Sequence, residues 1–256
     1  MPTLTIDGQA LTVPEGSTVL QAIRQAGAHL STLCYWEGLP PYGACRLCLV
    51  ELVGPHGRQV IAACAYPASE GLEIDTHGPR AGAVRRMMLE FMLARCPTSE
   101  VVRGLAAEAG VTRTRFDGAA DADELCVLCG LCVRVCRDLV GAAAIGFIGR
   151  GAEREVGAPF QVQAEACIGC GACAVVCPTG AVKIEEVGGE MRLRTWNTTV
   201  PLRPCPECGR PFAPEPMAFL SALAGVGEQP WGLCEPCRRK RAAEQMRAAR
   251  ALARPT

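Results

Sequence analysis

Two runs of the form C-x2-C-x2-C-x3-C constrain this chain more than any other feature: Cys126, Cys129, Cys132 and Cys136, then Cys167, Cys170, Cys173 and Cys177. They form an internal repeat, and each crowds four thiols onto a tight loop with a glycine, Gly130 or Gly171, between the second and third cysteines. The chain has 17 cysteines in 256 residues while aromatics make up only 5%. Something other than a large aromatic core must hold parts of it together, and metal is the first candidate. Met1 to Val13 has no basic, apolar and small-residue sequence of the secretory kind, so a cytoplasmic location with reduced thiols is expected. Leu139 to Gly149 is too short and too rich in Gly and Ala to cross a bilayer. Paired cysteines in that setting read as metal ligands before they read as disulfides.

The repeated run has the spacing of bacterial [4Fe–4S] ligands, where the fourth cysteine of each run serves the other cluster. One [4Fe–4S] cluster is therefore assigned to Cys126, Cys129, Cys132 and Cys177, and the other to Cys167, Cys170, Cys173 and Cys136. Pro178 follows the second run, whereas Arg137 follows the first, which suggests a helical continuation through Asp138, Leu139 and Val140.

Cys34, Cys45, Cys48 and Cys64 form a further set, C-x10-C-x2-C-x15-C, close to the plant-type [2Fe–2S] rule with a longer first gap. Leu4 to Ile6 and Ala10 to Val13 alternate like strands across Asp7-Gly8. Ser17 is the expected cap of a helix through Ala26, with Gly27 as its stop. A second hairpin is expected from Leu47 to Val53 and Gln59 to Ala62, with His56 in the turn, followed by a short strand from Leu72 to Asp75. Two strands, a helix and a cysteine loop are the layout of a β-grasp ferredoxin. Cys205, Cys208, Cys234 and Cys237 make the last set, two C-x2-C pairs 25 residues apart. They suit a zinc ribbon, with a rubredoxin-like iron as the less favoured occupant because Arg238, not Gly, follows the second pair.

Gly43-Ala44-Cys45-Arg46-Leu47-Cys48 and Cys126 to Gly151 resemble the iron–sulfur G-type subunit of bacterial complex I. They are equally similar to the iron–sulfur subunits of NAD-linked hydrogenases and formate dehydrogenases. The resemblance covers residues 1 to about 188. It implies an electron-transfer subunit of a multisubunit NAD(P)-linked oxidoreductase, whose partners are a flavin-containing NAD(P)-binding subunit and a catalytic subunit. Those relatives carry an H-x3-C-x2-C-x5-C site between their first two cluster regions. Residues 79–120 here contain only Cys96, so that site cannot be built. The region reads instead as two helices, Ala83 to Arg95, with Val84, Met87, Met88, Phe91 and Met92 near one face, and Thr98 to Ala109. Cys96 reads as a buried small hydrophobe.

No catalytic residues are expected. His29, His56 and His77 lie in no nucleophile or hydrolase motif, and no dinucleotide or phosphate loop is present. Formal charge is zero from 26 basic and 26 acidic side chains. Sixteen ligand thiolates would add sixteen negative charges, of which the iron–sulfur groups and one zinc ion offset about eight. That sign disfavours a nucleic-acid partner, despite the basic stretch Arg238 to Arg241 and the aromatics Phe212, Phe219 and Trp231 near the ribbon. A nucleic-acid-associated or regulatory iron–sulfur protein and a free-standing ferredoxin are the alternative readings. The expected architecture is modular α+β. A [2Fe–2S] β-grasp domain covers 1–78, a helical connector 79–120, a dicluster domain 121–188 and a strand-like linker 189–203. A zinc ribbon covers 204–239 and a helical tail 240–256.

Overall fold

The computed structural model describes residues 1–55, 57–118, 121, 123–217 and 232–252. The expected turn position of His56, the aromatics Phe219 and Trp231, and residues 253–256 of the expected helical tail lie outside these. Residues 1–139 with 176–181 make one compact unit, and residues 140–175 with those from 182 onward make a second.

The first unit is built on a five-stranded sheet. Its strands are β1 (Thr3–Ile6), β2 (Gln9–Thr12), β3 (Leu49–Gly54), β4 (Gly57–Ala62) and β5 (Glu73–Asp75). Their order is β2-β1-β5-β3-β4, with β1 and β5 parallel and every other pair antiparallel. Asp7 and Gly8 both take positive φ, 49° and 84°, as a tight right-twisted hairpin requires. Helix α1 (Val19–Gln25) buries Leu20 and Ile23 in one core with Leu4, Ile6, Val50 and Ile74. Thr18, not the expected Ser17, caps it: Gln21 N–H donates to Thr18 Oγ1 at 3.3 Å and Thr18 N–H to Gln21 Oε1 at 2.8 Å. Ser17 is held one residue earlier by Pro14 and Ala68, its N–H donating to the carbonyl of Pro14 and its own carbonyl accepting from the N–H of Ala68.

Helix α2 (Pro79–Arg95) starts four residues before the expected Ala83. Pro79 takes the first helical position, and Glu51 accepts hydrogen bonds from the N–H groups of Arg80 (2.8 Å) and Ala81 (3.3 Å). The expected apolar face is only half right. Met92 is buried and Met88 packs on the core, but Val84, Met87 and Phe91 are among the exposed large hydrophobics. The inward face is Ala81, Gly82, Leu89, Met92 and Ala94, set by the first turn of α2 meeting Glu51 of β3, to which Ala81 N–H donates. Phe91 stacks on Phe116, ring centroids 4.1 Å apart. Helix α3 (Glu100–Glu108), capped by Ser99, turns Val102 and Ala106 inward. Helix α4 (Leu131–Arg134) continues through a wider π turn over Val135–Leu139, so the first run does extend helically beyond Arg137.

The second unit contains the hairpin β6 (Gly146–Ile148) and β7 (Glu155–Gly157), the short helix α5 (Ala172–Val175), and a four-stranded antiparallel sheet. That sheet comprises β8 (Ile184–Val187), β9 (Glu190–Leu193), β10 (Thr198–Pro204) and β11 (Pro211–Pro214), in order β11-β10-β9-β8. The stretch 189–203 thus supplies strands in the middle of a sheet. Helix α6 (Glu235–Leu252) begins between the last two cysteines and carries Cys237 in its first turn. No helix among the described residues is long and apolar enough to cross a membrane.

Candidate metal centres

Cys34, Cys45, Cys48 and Cys64 are all at most 4% exposed. Cys34 and Cys45 Sγ lie 3.4 Å apart, Cys45 N–H donates to Cys34 Sγ at 3.4 Å, and Leu33 N–H to Cys45 Sγ at 3.5 Å. Gly43 and Arg46 take positive φ of 66° and 58°, which turns the loop tightly about these sulfurs. The hydrogen bond from Cys34 holds the Cys45 thiol down at about 6, against burial and with help from the N–H groups of Leu33 and Leu47. Cys34, the donor, is pushed well up. Cys64 lowers Cys48 by the same kind of bond and is itself raised. Four buried sulfurs, with backbone N–H groups aimed at them, fit a soft, thiophilic iron–sulfur group, whose binding releases thiol protons.

Cys126, Cys129 and Cys132 lie in the first unit, and Cys177 joins them there with residues 176–181. Burial raises all three thiols, Cys129 to about 11, and the charge of Cys177 raises each further. Leu128 and Gly130, at φ 55° and 74°, bend the loop on either side of Cys129. Cys126 is braced on both sides: its N–H donates to Glu124 Oε1 at 2.6 Å, and Arg95 Nε donates to its carbonyl at 2.7 Å. Arg95 and Glu124 pair with each other at 3.5 Å. Cys129 packs against the same hydrophobic cluster that contains Cys34 and Cys45.

Cys136 stands on the π turn of the first unit, and Cys167, Cys170 and Cys173 belong to the second. Their loop bends at Gly169 and Gly171, both at φ 71°. A Cβ on Gly169 would meet Pro214 at 2.8 Å and Val200 at 3.2 Å, so the loop rests directly on β10 and β11.

Cys205, Cys208, Cys234 and Cys237 place all four Sγ atoms within 4.8 Å of one another. Burial alone would raise Cys205, but the N–H groups of Cys234, Cys208 and Glu207 outweigh it and hold the thiol near about 6. Sulfurs this close fit one tetrahedral ion. Cys96 is fully buried beside Leu89 and Met92, and burial pushes its thiol up to about 12.

One buried cation escapes the sequence reading. Arg134, between Cys132 and Cys136, is 5% exposed and donates to the carbonyls of Cys34 (2.7 Å) and Pro40 (2.6 Å). The only signal was a charged residue inside the otherwise apolar Leu131 to Val135.

A family model described as a 2Fe-2S iron-sulfur cluster binding domain matches residues 1–79, and a 4Fe-4S dicluster domain matches 125–181 and 166–211. The chain is 32% identical over 230 residues to the G 2 subunit of the NADH-quinone oxidoreductase of Rhizobium meliloti, covering 80% of this chain and 26% of that protein. It is 28% identical to NADPH-Fe(3+) oxidoreductase subunit alpha of Geobacter sulfurreducens (81% and 27% covered). It is 30% identical to NADP-reducing hydrogenase subunit HndD of Solidesulfovibrio fructosivorans (73% and 36% covered). The chain thus spans between about a quarter and a third of these relatives' length. Among solved structures, a chain of an NAD+-reducing [NiFe]-hydrogenase matches with TM-score 0.56 and 28% identity, over 75% of this chain and 87% of that one. The chain therefore carries a 2Fe-2S cluster binding domain and a 4Fe-4S dicluster domain, and it is homologous to the G-type subunit of complex I and to subunits of NAD(P)-linked oxidoreductases and hydrogenases.

Proposed function

We propose that this chain is a cytoplasmic electron-transfer subunit of a multisubunit NAD(P)-linked oxidoreductase. In this reading it links a flavin-containing NAD(P)-binding subunit to a catalytic subunit such as a hydrogenase, a formate dehydrogenase or a related reductase. Cys34, Cys45, Cys48 and Cys64 would hold one [2Fe–2S] cluster. Cys126, Cys129, Cys132 and Cys177 would hold one [4Fe–4S] cluster, and Cys136, Cys167, Cys170 and Cys173 a second. When bound, these groups supply one-electron steps that the polypeptide itself cannot make. The residues' own work is to keep the sulfurs buried, turn N–H groups toward them and exclude water. Cys205, Cys208, Cys234 and Cys237 would clip a zinc ribbon, redox-inert, that holds β11 and α6 together. The domain arrangement follows from these sites: β-grasp, helical connector, dicluster module and ribbon.

The observation that carries the reading is the return of Cys177, the last cysteine of the second run, to the unit of Cys126, Cys129 and Cys132. Crossed ligation between the two runs calls for such a return. The test is anaerobic purification of the native assembly, with iron, sulfide and zinc determined per chain and the other chains identified. Ten iron, ten sulfide and one zinc per chain are the expected stoichiometry on these assignments. Reduction of the assembly by NADH or NADPH should bleach its visible absorbance. Colourless material without sulfide would remove the reading altogether.

A further inference from the structure

Arg134 is a cation placed where cations are costly. Its side chain is buried, yet it forms no ion pair among the described residues. Asp138, whose carboxylate feels the charge of Arg134, is gripped at two points by Arg137, at 2.6 and 3.0 Å. Arg134 has instead two backbone carbonyls, those of Cys34 and Pro40, and the ring of Tyr42 at 4.9 Å from its guanidinium carbon. Among the described residues its buried Nε has no hydrogen-bond partner. A buried guanidinium left this way is unfavourable unless negative charge lies close by.

Covalent connection shows where that charge would come from. Cys34 is a ligand of the first site on the assignment above, and Arg134 bonds to its carbonyl. Two residues before Arg134 is Cys132, assigned to the neighbouring site. Cys129 of that site shares a hydrophobic cluster with Cys34 and Cys45. Each filled site carries four thiolates and a 2+ core, and is therefore anionic in its oxidised form.

We infer that Arg134 is the shared counter-charge of the [2Fe–2S] site and of the adjacent [4Fe–4S] site, raising both reduction potentials while tying the two ligand loops together. The inference rests on the electron-transfer reading. The sign follows from Coulomb's law. One-electron reduction adds a negative charge, so a fixed cation stabilises the reduced form more than the oxidised form. The backbone bond to Cys34 adds direction, because it polarises the peptide next to a ligand sulfur. Arg134 is a positioning and tuning residue; it touches no substrate.

The test is a redox titration of the anaerobic holoprotein, followed by low-temperature EPR so that each cluster is read separately. Iron and sulfide are determined on every sample. In Arg134→Gln, with iron and sulfide at the wild-type content, both neighbouring centres should be harder to reduce. At the wild-type midpoint their reduced-to-oxidised ratio should fall about tenfold, equal to a 59 mV shift for one electron. Arg134→Lys keeps the charge but cannot reach both carbonyls with one fork, so it should restore the two potentials unequally. If Arg134→Gln does not fold, unequal shifts in Arg134→Lys carry the test alone. Unchanged potentials at both centres in a fully loaded variant would overturn the inference. Absence of iron and sulfide from the wild-type protein would instead overturn the electron-transfer reading beneath it.

Discussion

Glu51 fills the space that a side chain at position 78 would need. A Cβ built on Gly78 would lie 2.3 Å from Glu51 Cδ and 2.4 Å from its Oε1. The fully buried carboxylate of β3 therefore acts as a cap for α2, accepting from Arg80 and Ala81 N–H and pairing with Arg58. Sheet and connector helix meet at this contact, on the strand that follows directly from Cys45 and Cys48.

Gly78→Ala should therefore destabilise the first unit. The buried carboxylate, held by the N–H groups of Arg80 and Ala81, cannot withdraw cheaply, and overpacking of this kind costs about 1–3 kcal/mol. Thermal denaturation of the holoprotein checks it. A midpoint equal to wild type would mean that Glu51 swings aside.

Acid should weaken the same contact. Burial alone would raise the Glu51 carboxyl, but the N–H groups of Ala81 and Arg80 and the Arg58 guanidinium outweigh it and hold it below the ordinary range. The folded state then binds its proton at lower pH than the unfolded chain does. The contribution is complete above the unfolded value of about 4.3 and is lost as pH falls toward the lower folded value. Glu51→Gln should be less stable than wild type at pH 7, and the gap should close on acidification below about pH 5. Denaturation midpoints of both proteins across that range measure it; a gap independent of pH would show that the carboxylate charge contributes nothing.

Crossed ligation makes a prediction that ligation within each run does not. Cys136→Ser should remove or convert the cluster assigned to Cys167, Cys170 and Cys173, and spare the one assigned to Cys126, Cys129, Cys132 and Cys177. Iron counting with EPR distinguishes the two signals. Loss confined to the second of these would refute the assignment.

Gly169→Ala should damage that same cluster from the other side. The added methyl meets Pro214 and Val200, and the position has φ 71°, which an L side chain rarely adopts. We expect the cluster assigned to this loop to lose occupancy while the EPR signals assigned to the first unit stay intact. Equal occupancy in wild type and variant would show that β10 and β11 yield to the loop.

The 2Fe-2S and 4Fe-4S dicluster domains were legible because cysteine spacing is a local property that folding does not alter. The Asp7-Gly8 hairpin was legible for the same reason. What stayed hidden depends on distant partners. Arg134 reads as an ordinary solvated charge until the carbonyls of Cys34 and Pro40, about a hundred residues away in sequence, are brought to it. Glu51 sits on a strand where alternation alone does not announce a buried carboxylate. The apolar stripe on α2 follows Met and Phe periodicity, whereas the first turn, held by Glu51 of β3, buries Ala81 and Gly82 instead. Ser17 and Thr18 are equally good caps by type, and the bonds that hold Ser17 in the preceding turn decide between them.

The return of residues 176–181 to the first unit also sets an order on biogenesis. A growing polypeptide that has emerged only as far as Leu139 lacks the last piece of its own leading half. That half can be finished only after most of the following segment has left the ribosome.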